Sequence, residues 1–180
     1  MNQANAVLVR WTRVDTEPGT LLIAATASGL GFIGSPNAPF EELERWARRT
    51  FPGGSSLAND DDAMAPYANQ IKAYMNGESN ALALTFDLAG TPFQREVWQT
   101  LLEIPYGETT TYSDIAHRIG RPAAVRAVGA AIGANPVLIG IPCHRVVGKN
   151  GALTGYRGGL AMKQHLLELE GRVHAGQGVK

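Results

Sequence analysis

The stretch TYSDIAHRIGRPAAVRAVGAAI, residues 111–132, decides the fold of the second half of this chain. Tyr112–Ile119 and Ala123–Ile132 predict two short helices, and Gly120-Arg121-Pro122 predicts a tight turn between them. This is a helix-turn-helix pattern. Four apolar side chains are available for packing between its helices: Ile115, Ile119, Val125 and Val128.

The second helix of this pattern carries alanines and one long polar side chain, Arg126. A helix that reads bases in the major groove needs several Arg, Asn or Gln side chains, so this one cannot discriminate many bases. A small-residue face with one basic side chain instead suits close docking in the minor groove. The alternative is that the alanines pack against another helix while Arg126 pairs with a surface acid.

Upstream, residues 1–88 predict a small α/β domain with mixed strands and helices, followed by a boundary at Ala89-Gly90. Strands are predicted over Ala6–Val14, Leu21–Thr26, Gly29–Ile33 and Ala81–Leu88, and helices over Ala38–Thr50 and Ala65–Met75. Residues 52–62 are predicted to form a loop. In the second half, Thr91 and Pro92 predict the start of a helix. A short extended piece is predicted over Val137–Ile141, and the last helix over Leu160–Leu169. Residues 172–180 are predicted to form a tail.

The formal net charge is zero, but the charge is unevenly distributed. Residues 1–88 hold 6 Lys and Arg against 10 Asp and Glu, and residues 89–180 hold 10 against 6. Such asymmetry indicates either a polyanion partner or a solvated face. The start of the chain does not resemble a secretory signal, and no apolar run reaches membrane-spanning length, so a cytoplasmic protein without membrane contact is expected.

The single cysteine, Cys143, lies in the sequence Ile-Pro-Cys-His-Arg-Val, residues 141–146. One thiol cannot form a disulfide within the chain, so Cys143 is either a buried apolar filler or a nucleophile. The adjacent His144 and Arg145 favour the nucleophile, because imidazole and guanidinium groups stabilise a thiolate.

These features occur together with a set of further short motifs. They are TPFQREVW at 91–98, IPYG at 104–107, TY at 111–112, RAVG at 126–129, NP at 135–136, IPCHRV at 141–146, GY at 155–156 and the segment 166–171. In this order and spacing, residues 85–171 resemble the O6-alkylguanine-DNA alkyltransferases, also called methylated-DNA–protein-cysteine methyltransferases. The resemblance implies an α+β fold. A small ribonuclease-H-like α/β domain (1–88) would precede a mostly helical, winged-helix-like catalytic and DNA-binding domain (89–171).

The resemblance also implies the roles of individual residues. Cys143 would take the alkyl group from O6 of guanine, His144 would activate it through a bridging water, and Glu170 would orient His144. Asn135 would hold the backbone before an active-site strand, and Tyr112 would lie beside the flipped base and its phosphate.

Further residues would contact the substrate or the DNA. Arg126 would fill the space that the flipped base leaves, and Tyr156 and Lys163 would line the pocket. The other candidates for this group are Arg145, Arg157, Ala127 and Ala130.

The resemblance implies irreversible direct reversal of O6-alkylguanine in double-stranded DNA, and it leaves activity on O4-alkylthymine open. A thioether product and no second thiol predict a single turnover. The resemblance implies a monomer without cofactor. Some family members carry a zinc in the N-terminal domain, but residues 1–116 contain neither Cys nor His, so no metal is expected here. The main alternative is a non-catalytic protein that binds alkylated DNA. A transcriptional regulator would need more cysteines for a metal-bound regulatory domain, and nothing before Cys143 supports a Cys–His hydrolase.

Overall fold

The computed structural model describes residues 5–178, with side chains described through Gly171. The chain forms two compact units, Met1–Ala89 and Gly90–Lys180. The first combines a sheet with helices and the second is mostly helical, which confirms the predicted fold class. Within the described residues, no helix has both the length and the apolar character needed to cross a membrane.

The first unit is built on a four-stranded sheet in the order β3-β2-β1-β4. Its strands are β1 (Val7–Thr16), β2 (Gly19–Thr26), β3 (Gly29–Ile33) and β4 (Ser55–Asn59), and its helices are α1 (Glu41–Thr50) and α2 (Asp61–Met75). β1 pairs antiparallel with β2 and parallel with β4. Alternate strand residues and α1 share an apolar core that includes Val9, Leu22, Phe32, Leu43 and Trp46.

Two predictions for this unit are wrong. The Pro-Gly-Gly-Ser-Ser and Asn-Asp-Asp-Asp stretches predict a loop over residues 52–62, yet pairing with β1 from Val7↔Ser55 to Trp11↔Asn59 makes β4 a strand, although Ser, Ala and Asn are poor strand formers. The predicted strand Ala81–Leu88 makes only a single bridge, Leu30↔Phe86. None of its residues is fully buried, so the sheet gains little apolar contact from extending there.

Helix α2 begins earlier than predicted because an acidic residue caps it. The Asp60 carboxylate accepts a hydrogen bond from the backbone N–H of Ala63 at 3.0 Å, which satisfies one of the free donors of the first turn. The aspartates at 60–62, predicted to belong to a loop, thus start the helix.

The second unit contains α3 (Pro92–Leu101), α4 (Tyr112–Arg118), α5 (Val125–Gly133) and α6 (Leu160–Gly178). The predicted cap of α3 is confirmed: Thr91 and Gln94 form reciprocal side-chain to backbone hydrogen bonds. Gly120, with φ of +73°, makes the left-handed turn between α4 and α5. Ile115 and Val128 are buried, as the helix-turn-helix pattern predicts.

Two further features place the site. A short parallel pair, β5 (Thr110–Thr111) and β6 (Val146–Val147), brings the start of α4 beside the segment that follows Cys143. The predicted last helix continues beyond Leu169 to Gly178, so residues 172–178 of the predicted tail are helical. The last two residues of the predicted tail lie outside the described part of the chain.

Candidate active site

The backbone that leads to the cysteine is a tight turn rather than the predicted extended piece Val137–Ile141. The N–H of Gly140 donates to the carbonyl of Leu138 at 2.7 Å, and Ile139 has φ of +70°. A β-branched residue rarely adopts this conformation, so the surrounding contacts must hold it in place.

Asn135 supplies these contacts. Its Oδ1 accepts a hydrogen bond from the N–H of Val137 at 2.9 Å, and its Nδ2 donates to the carbonyl of Ile141 at 2.9 Å. The same Nδ2 lies 3.2 Å from the Sγ of Cys143. One buried amide therefore fixes the turn and contacts the thiol.

Cys143 is the first residue of a short 3₁₀ turn, Cys143–Arg145, rather than part of a strand. Its side chain is buried, with 5% exposure. Burial raises the pKa of the Cys143 thiol, and the hydrogen bond from Asn135 and the charges of Arg157 and Lys163 oppose this increase. The resting group is thus a thiol beside groups that stabilise the thiolate.

His144 is completely buried and its Nε2 lies 2.6 Å from the Oε1 of Glu170. Burial lowers the pKa of His144, although the contact with Glu170 opposes that decrease. A neutral ring that donates from Nε2 to a carboxylate leaves Nδ1 as a proton acceptor. Within the described residues, Nδ1 has no hydrogen-bond partner.

Glu170 also binds Arg145, whose side chain is buried. Arg145 Nε donates to Glu170 Oε2 and its NH2 to Oε1, both at 2.9 Å, while NH1 donates to the carbonyl of Ile104 at 2.6 Å. The N–H of Gly107 donates to Oε2 at 3.3 Å. All three guanidinium nitrogens of Arg145 bind protein groups, and a contact of Arg145 with the substrate or DNA stays a prediction.

Lys163 is buried and binds two backbone carbonyls, those of Val146 at 2.6 Å and Thr154 at 2.8 Å. Burial lowers the pKa of its ammonium group, whereas Cys143 raises it. The Thr154 hydroxyl donates to the Tyr112 hydroxyl at 3.1 Å. Lys163 thus fixes the segment that contacts Tyr112.

Tyr156 and Arg157, both half-buried, follow Thr154 in the same loop. The Arg157 guanidinium binds the carbonyls of Asn135 and Pro136. A Cβ added at Gly158 would lie 2.8 Å from the Tyr156 ring, so the loop is closely packed. The structure therefore brings the predicted pocket residues close to the Asn135 turn.

The exposed face of α5 consists of small residues and one arginine. Ala127, Ala130 and Arg126 are exposed, whereas Val128 is buried. The opposite side is anchored by the Trp98 indole N–H, which donates to the carbonyl of Ala131 at 2.8 Å. This face can approach another molecule closely.

Several residues of this site were not singled out from the sequence: Ile104, Gly107, Thr154 and Trp98. Three of them act in part through backbone atoms, which no residue type reveals. The IPYG and TPFQREVW motifs include Ile104, Gly107 and Trp98 and were the available signal for them.

Two family models match this chain. The model described as 6-O-methylguanine DNA methyltransferase, DNA binding domain, matches residues 92–172. The model described as 6-O-methylguanine DNA methyltransferase, ribonuclease-like domain, matches residues 9–88.

Individual relatives are similar over almost the whole chain. The inducible methylated-DNA–protein-cysteine methyltransferase of Bacillus subtilis is 55% identical over 170 residues, covering 94% of each chain. A solved structure of Mycobacterium tuberculosis OGT in complex with DNA is 40% identical, with a TM-score of 0.78 and coverage of 93% of this chain and 94% of that one.

Proposed function

Since the chain belongs to the 6-O-methylguanine DNA methyltransferase family, we propose that Cys143 is the residue that accepts the alkyl group. The chain is a direct-reversal DNA repair protein with methylated-DNA–protein-cysteine methyltransferase activity. The observation that carries the assignment is the contact of the only thiol with Asn135, next to His144, whose Nε2 binds Glu170. This is an arrangement of nucleophile, base and orienting acid.

Thiolate formation uses the free ring nitrogen of His144. The thiol proton of Cys143 passes to Nδ1, directly or through a water, while Nε2 keeps its hydrogen bond to Glu170. The carboxylate then stabilises the imidazolium, and the Asn135 amide donates to the charged sulfur. Because burial raises the thiol pKa, this proton transfer is required at neutral pH.

Transfer is an in-line displacement at the alkyl carbon. A bond forms between Sγ of Cys143 and this carbon as the carbon–O6 bond breaks, and its electron pair returns to guanine. The base leaves as an anion, and a hydrogen bond from the Tyr112 hydroxyl stabilises that charge. Thr154 donates to the oxygen of this hydroxyl, which leaves the Tyr112 hydrogen available for the base.

The reacting carbon lies inside a duplex, so the nucleotide must be extruded at a cost of a few kcal/mol. The exposed alanines of α5 permit close docking in the minor groove, and Arg126 occupies the space that the base leaves. Tyr156 and Arg157 belong to the loop that faces the extruded base.

The product is a thioether, and the chain has no second thiol to reverse it. Each molecule therefore reacts once, with O6-alkylguanine in double-stranded DNA. It acts as a cytoplasmic monomer.

Mass spectrometry of the intact protein tests this proposal. Incubation with duplex DNA that contains O6-methylguanine is expected to add one methyl group, located on Cys143 by peptide mapping. The variant Cys143→Ser is expected to remain unmodified. Folded wild-type protein that binds the methylated duplex but keeps its original mass would contradict transfer and favour a lesion-binding protein.

A further inference from the structure

Arg157 is expected to face DNA, yet its guanidinium binds backbone carbonyls of the same chain. Its Nε donates to the carbonyl of Asn135 and its NH2 to the carbonyl of Pro136, each at 3.1 Å. The planar guanidinium can bind two neighbouring carbonyls at once, which a lysine ammonium group cannot reproduce with the same geometry. Arg157 therefore holds the backbone of the Asn135–Pro136 turn.

This turn contains the amide that contacts the thiol. Asn135 Nδ2 is shared between the Ile141 carbonyl at 2.9 Å and Cys143 Sγ at 3.2 Å. Arg157 binds the backbone carbonyl of the same residue. A shift of that backbone would move the amide away from the sulfur.

Arg157 also contributes a positive charge near the Cys143 thiol. Arg157 and Lys163 are the two cations whose charge opposes the effect of burial on the thiol pKa. The neighbouring His144 is neutral at rest, and Glu170 behind it is paired with Arg145.

We propose that Arg157 is a positioning residue for alkyl transfer: its guanidinium holds the Asn135–Pro136 turn so that the Asn135 amide stays on the sulfur as the thiolate forms. The inference rests on the proposed function, in which Cys143 is the nucleophile. The step that it affects, ionisation of the thiol, can nevertheless be measured without DNA.

The test measures the rate at which iodoacetamide alkylates Cys143 in the full-length protein as a function of pH. Wild type is compared with Arg157→Lys, Arg157→Met and Arg95→Met, the last at an exposed arginine of α3. Arg157→Met is expected to move the pH midpoint upward and to slow alkylation about tenfold at neutral pH. Arg157→Lys is expected to recover part of this loss, and Arg95→Met to behave as wild type.

A double-mutant cycle with Asn135→Ala identifies the route of the effect. If Arg157 acts through Asn135, Arg157→Met changes the rate less than about twofold in the Asn135→Ala background. The proposal is overturned if Arg157→Met slows alkylation equally in the wild-type and Asn135→Ala backgrounds. It is also overturned if Arg157→Met has the wild-type pH profile, or if Arg157→Lys reacts at the wild-type rate. If Arg157→Met does not fold, the intermediate rate expected for Arg157→Lys decides the question.

Methyl transfer from O6-methylguanine duplex is measured in parallel for the same variants, and the loss is expected to follow that seen with iodoacetamide. If wild type takes no methyl group from DNA while the Arg157 variants still shift the pH midpoint, the proposed function fails and the positioning of the thiol stands.

Discussion

The two units of this chain bury different kinds of side chain. In the described part of the first unit, the one buried polar residue is Thr12, and the rest of the interior is apolar. The second unit buries four ionisable groups other than its cysteine: His144, Arg145, Lys163 and Glu170. Buried ionic groups rarely stabilise a fold more than apolar residues of the same size would. Their presence in one unit therefore indicates a cost in stability that serves chemistry.

The largest effect is expected from Glu170→Gln. This change removes the charge that pairs with buried Arg145 and the carboxylate that orients His144. We expect loss of methyl transfer and a decrease of about 3–5 kcal/mol in the free energy of unfolding, measured by denaturant titration. Glu168→Gln on the exposed side of the same helix is the matched control. Normal transfer by Glu170→Gln would show that the buried ionic groups are not part of the chemistry.

A substitution in the apolar core of the first unit should lower the free energy of unfolding and leave methyl transfer unchanged. Leu43→Ala removes a fully buried side chain, at an expected cost of about 2–5 kcal/mol in unfolding free energy. Folded protein should still transfer methyl groups at the wild-type rate. Leu166→Ala makes a similar cavity on α6, the helix that carries Glu170, and should reduce both quantities. If folded Leu43→Ala transferred methyl groups slowly, the interior of the first unit would also be needed for the chemistry, and the difference between the units would not hold.

The exposed face of α5 tests a smaller contribution. Arg126→Ala is expected to slow transfer from duplex DNA about tenfold, close to 1.4 kcal/mol, while leaving the iodoacetamide reaction unchanged. Transfer from single-stranded DNA should change less, because no base has to be extruded from a stack. Equal losses on both substrates would indicate a general phosphate contact rather than insertion into the duplex.

The smallest effect is expected in the pH dependence of stability. Because burial lowers the pKa of His144, stability falls as pH decreases below the ordinary histidine value of about 6.5. Because burial raises the pKa of Cys143, stability falls as pH increases above the ordinary thiol value of about 8.5. Each group contributes at most about 1.4 kcal/mol per pH unit.

Thermal unfolding across this pH range measures both limbs of the profile. Cys143→Ser should remove the alkaline contribution and leave the acid one. An unchanged alkaline limb in this variant would mean that the thiol does not titrate with folding.

Local signals predicted the start of α3 and the turn between α4 and α5 in the second unit. The start at Thr91-Pro92 and the turn at Gly120 are set by residues adjacent in sequence. The sequence alone therefore locates these helix ends. β4 could not be found this way, because its residues form a strand only when β1 lies beside them.

The candidate site shows the same limit. The short motif around Cys143 predicts the nucleophile and its base, but arginine side chains are usually exposed, and nothing in the motif indicates that Arg145 is buried. Its burial depends on Glu170, 25 residues away in sequence. The roles of Ile104 and Thr154 depend partly on carbonyl oxygens, which every residue possesses.

Because Cys143 is buried, its rate of chemical labelling can be used to measure local motions of the protein. A reagent too large for the closed site can react only when the surrounding turns open transiently. Because the chain has one cysteine, all such labelling reports on one atom. The ratio of labelling rates for small and bulky reagents thus measures how often the Asn135 turn and the loop of Arg157 separate, and gives local opening free energies without spectroscopic probes.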